Sequence, residues 1–352
     1  MGKANAFNLI RLLAAVQVIL VHTFNHNGIE GALVSAIKIF PGVPIFFFVS
    51  GLMIYGAYDR SRNDGLLTFY INRFLRIYPG LWLCIALSTI SLFCIGYLNL
   101  QDLNLRSFSI WLLGQASFVQ FYNPEFMRGY GIGVLNGALW TIAVELQFYV
   151  LAPLVYYFMT RAKFLAIILF ALSVLLNFMA HNIFSIDSMV NKLLRVSFLP
   201  WVFIFIFGFF IAHSERVRSW ISSVKVGYLL IAYFATMFLL GGVEVNSSNS
   251  INALSAIVLS LLVFKVGCSQ SLSMSRLALF CNKTDISYGL YLYHMPLINF
   301  LMYVGGLSSL EGVLWTVFLS FSLAIFSWYT VEKPALELKR TFRLLVRNHN
   351  NV

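Results

Sequence analysis

Residues 7–24 read FNLIRLLAAVQVILVHTF, an apolar run interrupted by one arginine and one histidine. A helix that crosses the hydrocarbon core of a bilayer needs about 20 mostly apolar residues. The stretch therefore reads as a membrane span that carries two ionisable groups. It does not read as a cleavable leader, because Arg11 breaks the apolar run and no small-residue cleavage site follows. Comparable runs recur near 41–58, 80–98, 137–159, 163–181, 196–213, 225–241, 250–267, 286–303 and 312–331, which makes ten candidate helices. The stretch 108–121 is apolar but short, broken by Gln115 and Ser117, and reads as interfacial or re-entrant.

The expected fold is thus all-α, a polytopic integral membrane protein of about ten transmembrane helices. Composition points the same way. The 352 residues are 60% hydrophobic and 11% charged, against roughly 25% charged in an ordinary soluble domain. A soluble enzyme, a disordered tail and a collagen-like chain are all excluded. The longest stretch outside the spans, 99–136, is too short for a soluble domain, so residues 1–352 read as a single transmembrane domain.

A net charge of +11 could suggest nucleic acid, but the distribution of the charges argues against it. With the N-terminus inside, the inner loops and tails hold seventeen of the 24 lysines and arginines: Lys3, Arg60, Arg62, Arg73, Arg76, Arg161, Lys163, Arg216, Arg218, Lys225, Arg276, Lys283, Lys333, Lys339, Arg340, Arg343 and Arg347. The outer loops hold Lys38, Arg106, Arg128, Lys192 and Arg195. This asymmetry is the positive-inside pattern and places both termini in the cytoplasm. Cys84 and Cys94 fall in an apolar segment, and Cys268 and Cys281 in one inner loop. No metal spacing appears, and no outer loop holds a cysteine, so a disulfide framework is not expected.

An ionisable group at membrane depth costs on the order of 2.5–3.5 kcal/mol on insertion scales, which makes each a candidate functional residue. Arg11 and His22 share one face of the first span, offset by about 20° after three turns and separated by about 16.5 Å along the axis. A plainer reading has Arg11 reaching the inner headgroups and His22 marking the outer interface. Glu145, inside the fourth span, must pair with a cation or hold a proton; a structural ion pair between helices is the alternative to catalysis. Tyr149 lies one turn on and within hydrogen-bonding reach of it.

Ser287, Tyr291 and His294, at i, i+4 and i+7, form a polar stripe on an apolar helix. Pro296 follows and frees a backbone carbonyl that needs a partner. His294 is either catalytic or a brace for that kink. Arg73 and Arg76, in the loop between the second and third spans, present two guanidinium groups on one side of a helical turn, suited to phosphate oxygens. Attraction to anionic lipid is the alternative. No internal repeat is visible, and the Pro41-Gly42-Val43-Pro44 break has no counterpart in the second half, which weakens a transporter built from inverted repeats.

Taken together these patterns resemble the membrane acyltransferase-3 family, integral-membrane acyltransferases of bacterial cell-surface sugars. Arg11 and His22 are similar to its basic-x10-His signature, and Phe46-Phe47-Phe48-Val49-Ser50-Gly51 resembles its Phe-rich Ser-Gly segment. Arg73-Phe74-Leu75-Arg76-Ile77-Tyr78-Pro79 resembles its Arg-x-x-Arg block, and Trp140 through Glu145 its Trp-x4-Glu segment. Ile286-Ser287-Tyr288 to His294-Met295-Pro296 and Tyr329-Thr330-Val331-Glu332-Lys333-Pro334 resemble its two late motifs.

The resemblance implies transfer of an acyl group, most commonly acetyl, from acyl-CoA to a hydroxyl of a cell-surface or lipid-linked saccharide. It implies no tightly bound cofactor and no metal. On this reading His22 is the general base, since an unperturbed imidazole titrates near ~6.5. Arg73 and Arg76 hold the nucleotide phosphates, and Arg11 lines the passage or pairs with Glu145. Ser50, Trp140, Tyr149, Ser287, Tyr291 and His294 support substrate or structure. Ser50 as a covalent nucleophile ranks below direct transfer, because no second histidine can be assigned beside it.

The implied setting is the bacterial inner (plasma) membrane, with lipids, acyl-CoA and the saccharide acceptor as partners, no nucleic acid, and a homo-oligomer left open. Some family members carry a C-terminal extracytoplasmic esterase-like domain. This chain ends twenty residues after Glu332 and is expected to act alone or with a separate partner. The alternative from another class is a transporter or flippase for an anionic or lipid-linked saccharide, with Arg11, Glu145 and His294 as a relay. A relay has no need of Arg73 and Arg76.

Overall fold

A computed structural model describes residues 5–185, 187–240, 252–306 and 310–339. Among the described residues there is no strand, and helices follow one another along the chain. They are α1 (Phe7–His26), α2 (Ala32–Lys38), α3 (Gly42–Ser61), α4 (Leu66–Cys94), α5 (Leu105–Ala116), α6 (Leu139–Arg161), α7 (Lys163–Asn182) and α8 (Met189–Val196). Then come α9 (Val202–His213), α10 (Glu215–Ser223), α11 (Val226–Leu240), α12 (Ala253–Gly267), α13 (Gln270–Ser273), α14 (Arg276–Lys283), α15 (Ser287–Tyr303) and α16 (Leu310–Ser327). After α16 the chain continues through one π-helical turn, Trp328–Glu332, and further helical turns to residue 339.

Every one of the ten apolar stretches read from sequence contains a helix, but the count of ten spans is narrowed. Among the described residues six helical segments are long and apolar enough to cross a membrane, or seven if α10 and α11, bent by 95° at their junction, form one broken span. At 12 and 15 residues, α9 and α12 fall short of the about 20 that a straight crossing needs. The stretch read as interfacial or re-entrant is α5, a separate helix of 12 residues. All four cysteines are free thiols. Burial pushes the Cys281 thiol up from its ordinary value, which makes it a poor nucleophile at neutral pH.

The chain gathers into two compact units that interleave in sequence. The first comprises Met1–Val18, Ser35–Asn63 and Val144–Asp285; the second comprises Ile19–Val34, Asp64–Ala143 and Ile286–Val352.

In the first unit α3 and α9 pack backbone to backbone. A Cβ on Gly51 would collide with the Phe205 carbonyl and come within 3.0 Å of its Cα, while one on Gly208 would lie 2.6 Å from the Phe48 carbonyl oxygen. Small residues permit this approach, and in lipid such contacts are a main source of helix association. Around the crossing, Phe148 stacks on Phe205 at 4.4 Å and Phe47 meets Trp201 at 5.6 Å between ring centroids. Gly51→Val should cost about 1–3 kcal/mol, the range for overpacking a tight core. The thermal midpoint of the purified protein should fall accordingly. Gly227→Ala on α11, where an added Cβ meets nothing within 4 Å, should leave the midpoint unchanged or raise it.

The second unit is built on α4, α15 and α16. Both α4 and α15 carry an internal proline, Pro79 and Pro296. A proline removes one i→i−4 hydrogen bond, and Pro296 thereby frees the Leu292 carbonyl. Asn136 donates to that carbonyl at 2.9 Å, joined by the Cys84 thiol at 3.5 Å. The chain just before α6 is pinned by Asn299, fully buried, which donates to the Val134 and Leu135 carbonyls at 2.9 and 3.1 Å. Gly131, at φ 52°, lies against the Asn299 side chain, where no Cβ fits.

Candidate active site

The second unit brings together two histidines that lie on separate helices 272 positions apart. His22, in the last turns of α1, is half-buried. His294, in the middle of α15, has no exposed surface. Their rings sit 5.2 Å apart between centroids, with His294 Nε2 3.3 Å from His22 Nδ1. His22 Nδ1 also lies 3.1 Å from the Met295 sulfur, and His294 Nδ1 lies 2.7 Å from the Tyr291 carbonyl. One helical turn earlier, the Tyr291 hydroxyl is 2.7 Å from Thr141 Oγ1. His294 therefore bonds to the backbone of its own helix and touches the candidate base. Ser287, buried, opens α15, and Trp140 stands half-buried in the first turn of α6.

The second cluster in this unit is cationic. Arg73 and Arg76 belong to α4 rather than to a loop between spans, because the helix starts at Leu66. The Arg73 guanidinium lies over Phe69 at 5.9 Å and that of Arg76 over Tyr288 at 5.7 Å. The Tyr288 hydroxyl in turn donates to the Ile77 carbonyl at 2.8 Å. Lys339 stands close enough to both guanidinium groups to feel their charge. Three cations from two segments thus lie near one another, a charge pattern suited to a multiply charged anion.

The sequence reading placed Lys339 only among the inner-loop charges. Its position two turns beyond Glu332 is the signal that was available. Glu332 is buried, accepts from the Ser327 hydroxyl at 2.8 Å and packs at Gly80, one turn past Arg76. The π-helical turn that ends at Glu332 is a local irregularity of a kind often found at functional sites.

In the first unit, Arg11 donates to Asp285 at 2.8 Å in a half-buried ion pair. That partner differs from the Glu145 pairing offered by the sequence reading. Glu145 instead accepts two hydroxyls on the same oxygen, Ser50 at 2.8 Å and Tyr149 at 2.6 Å. The Tyr149 bond is the i, i+4 contact its spacing suggested. Two hydroxyl donors, one from α3 and one from α6, thus converge on one carboxylate oxygen. Ser50 thus stands beside a carboxylate rather than a histidine. Among the described residues no group of three His, Cys, Asp or Glu side chains is placed to hold a metal ion.

Comparison with known proteins gives these residues a context. Residues 5–332 match the model of the acyltransferase domain of the acyltransferase-3 type. The chain belongs to the acyltransferase-3 family. Nodulation protein 10 of Rhizobium leguminosarum bv. viciae is 32% identical over 356 residues, covering 96% of this chain and 95% of that protein. An O-acetyl transferase of Shigella phage Sf6 is 25% identical, covering 96% and 97%. The O-acetyltransferase OatA of Staphylococcus aureus strain NCTC 8325 is 24% identical over 92% of this chain and 56% of its own length. No solved structure matches the chain.

With apolar helices of spanning length, this acyltransferase-3 protein is a membrane protein, and its relatives give the transporter alternative no support. Six acyltransferase-3 motifs were legible in the sequence. The contacts between segments were not: Asp285 to Arg11, Met295 to His22, and Asn136 to the carbonyl freed by Pro296; nor was the nearness of Lys339 to the arginine pair.

Proposed function

We propose that this protein transfers an acyl group, most simply acetyl, from acyl-CoA to a hydroxyl of a cell-surface or lipid-linked saccharide, in the bacterial inner membrane with both termini cytoplasmic. One observation carries the reading. A single helix, α15, sets Tyr288 under the Arg76 guanidinium and, six residues on, His294 against His22. Six residues rise about 9 Å along a helix axis, a gap that a flexible pantetheine arm readily spans. The nucleotide phosphates bind Arg73, Arg76 and Lys339, and the thioester lies toward His22.

In the reaction His22 takes the proton of the acceptor hydroxyl as its oxygen attacks the thioester carbonyl. The new C–O bond forms, the C–S bond breaks, and the proton passes from His22 to the departing CoA thiolate. Arg11, held by Asp285, anchors the start of the helix that presents His22. Glu145 orders Ser50 and Tyr149 between α3 and α6. Names of relatives, O-acetyl transferase among them, favour acetyl as the group moved.

The test is direct. Purified protein in nanodiscs, given acetyl-CoA labelled in the acetyl group and a panel of saccharide acceptors, should release CoA and move the label onto carbohydrate. Unchanged acetyl-CoA across acceptors drawn from cells that contain the protein would overturn the proposal.

A further inference from the structure

We infer that His294 is a positioning residue that locks His22 in the Nδ1–H tautomer, so that Nε2 is the atom that receives the acceptor proton. The inference rests on His22 being the base, and it specifies which nitrogen acts and why. Hydrogen positions follow here from the partners, because each partner has only one role open to it.

The chain of assignments begins at the backbone. The Tyr291 carbonyl can only accept, so the His294 nitrogen 2.7 Å away, Nδ1, carries the proton. A neutral imidazole holds one proton, which leaves His294 Nε2 as a bare acceptor. That acceptor lies 3.3 Å from His22 Nδ1. Across the gap one nitrogen must donate, and only His22 Nδ1 can. The Met295 sulfur, 3.1 Å from the same nitrogen, has no hydrogen to give and fits the same assignment, though a thioether is too weak an acceptor to fix it alone. Two independent acceptors therefore converge on His22 Nδ1.

The consequence falls on the other side of the ring. With Nδ1 protonated, His22 Nε2 holds its lone pair, and among the described residues nothing hydrogen-bonds to it. His22 is half-buried whereas His294 is enclosed, so the histidine within reach of a substrate is the one whose outer nitrogen is basic. A free histidine side chain prefers the Nε2–H form, which would offer that face a donor instead of a base. The fully buried His294 removes that preference. It does so by the logic in which an orienting group fixes the tautomer of a catalytic histidine, with a backbone-anchored neutral histidine in place of the usual carboxylate.

The experiment reads the tautomer itself. Full-length protein carrying 15N-labelled histidine is placed in nanodiscs, and the His22 ring resonances are assigned by difference against His22→Gln. In the wild type His22 should show a protonated Nδ1 and an unprotonated Nε2. Glutamine places a carbonyl where imidazole Nε2 stood, whereas asparagine reaches only as far as Nδ1. His294→Gln should therefore keep the His22 tautomer, and His294→Asn should shift it toward Nε2–H. With that shift kcat should fall at least about tenfold while KM for acetyl-CoA stays put. An Nε2–H His22 in the wild type, or a His22 tautomer indifferent to His294→Asn, overturns the inference. Because the spectrum needs no turnover, a catalytically unimportant His22 would show itself separately, as full activity in His22→Ala.

Discussion

Replacing His22 with alanine should lower kcat for acetyl transfer by about 10²- to 10⁴-fold, the usual contribution of a positioned general base, with KM for acetyl-CoA unchanged. The split follows from where the side chain stands. His22 lies in the last turns of α1, in contact with His294 and Met295, while the cations that would hold the donor are on α4 and beyond Glu332. Its loss removes proton transfer and leaves the phosphate grip intact. Truncation also strips His294 Nε2 and the Met295 sulfur of their shared donor, so some loss of stability is expected in addition. For that reason the rate should be compared with His22→Asn, which retains an N–H near the Nδ1 position but offers no base. Both variants should be equally slow. A His22→Ala protein that folds and transfers acetyl at the wild-type rate would place the base elsewhere.

The general architecture was legible because its signal is redundant. Apolar runs of spanning length report themselves one by one, and each of the ten contains a helix. Boundaries failed where polar residues serve a helix that is nonetheless continuous. Hydropathy opened the third span at residue 80, yet α4 begins at Leu66. Asn72, Arg73, Arg76 and Pro79 depress the apolar signal over its first half, although a backbone ladder needs no apolar side chains to persist. The proline tolerated there is the same kind of exception as Pro296, whose freed carbonyl finds Asn136.

At the site, single residues were legible and pairings were not. Cost at membrane depth singles out Arg11, His22, Glu145 and His294 from one sequence. Nothing in periodicity says that Arg11 meets Asp285 or that His22 meets His294, since each contact joins segments more than 270 positions apart. Glu145 shows the limit most clearly. A carboxylate inside a span suggests a cation, and the side chains that hydrogen-bond it are two hydroxyls.

The double variant Arg73→Ala with Arg76→Ala should raise KM for acetyl-CoA by about 10²-fold or more and move kcat far less. Each guanidinium lost removes charge-assisted bonds worth about 1.5–3 kcal/mol, and about 1.4 kcal/mol is tenfold in affinity. The effect belongs to the nucleotide phosphates, so it should vanish when the donor lacks them. With acetyl-pantetheine the wild type and the double variant should show the same, weak KM. Lys339→Ala should give a smaller loss of the same kind, since a compact ammonium cannot make the bidentate contact of a guanidinium. If wild type and double variant bind acetyl-CoA equally well, the cationic cluster meets lipid headgroups instead. Equal binding would detach the donor site from α4 while leaving His22 and His294 as they stand. A loss that persisted with acetyl-pantetheine would point instead to collapse of the α4–α15 packing, where the Arg76 guanidinium covers Tyr288.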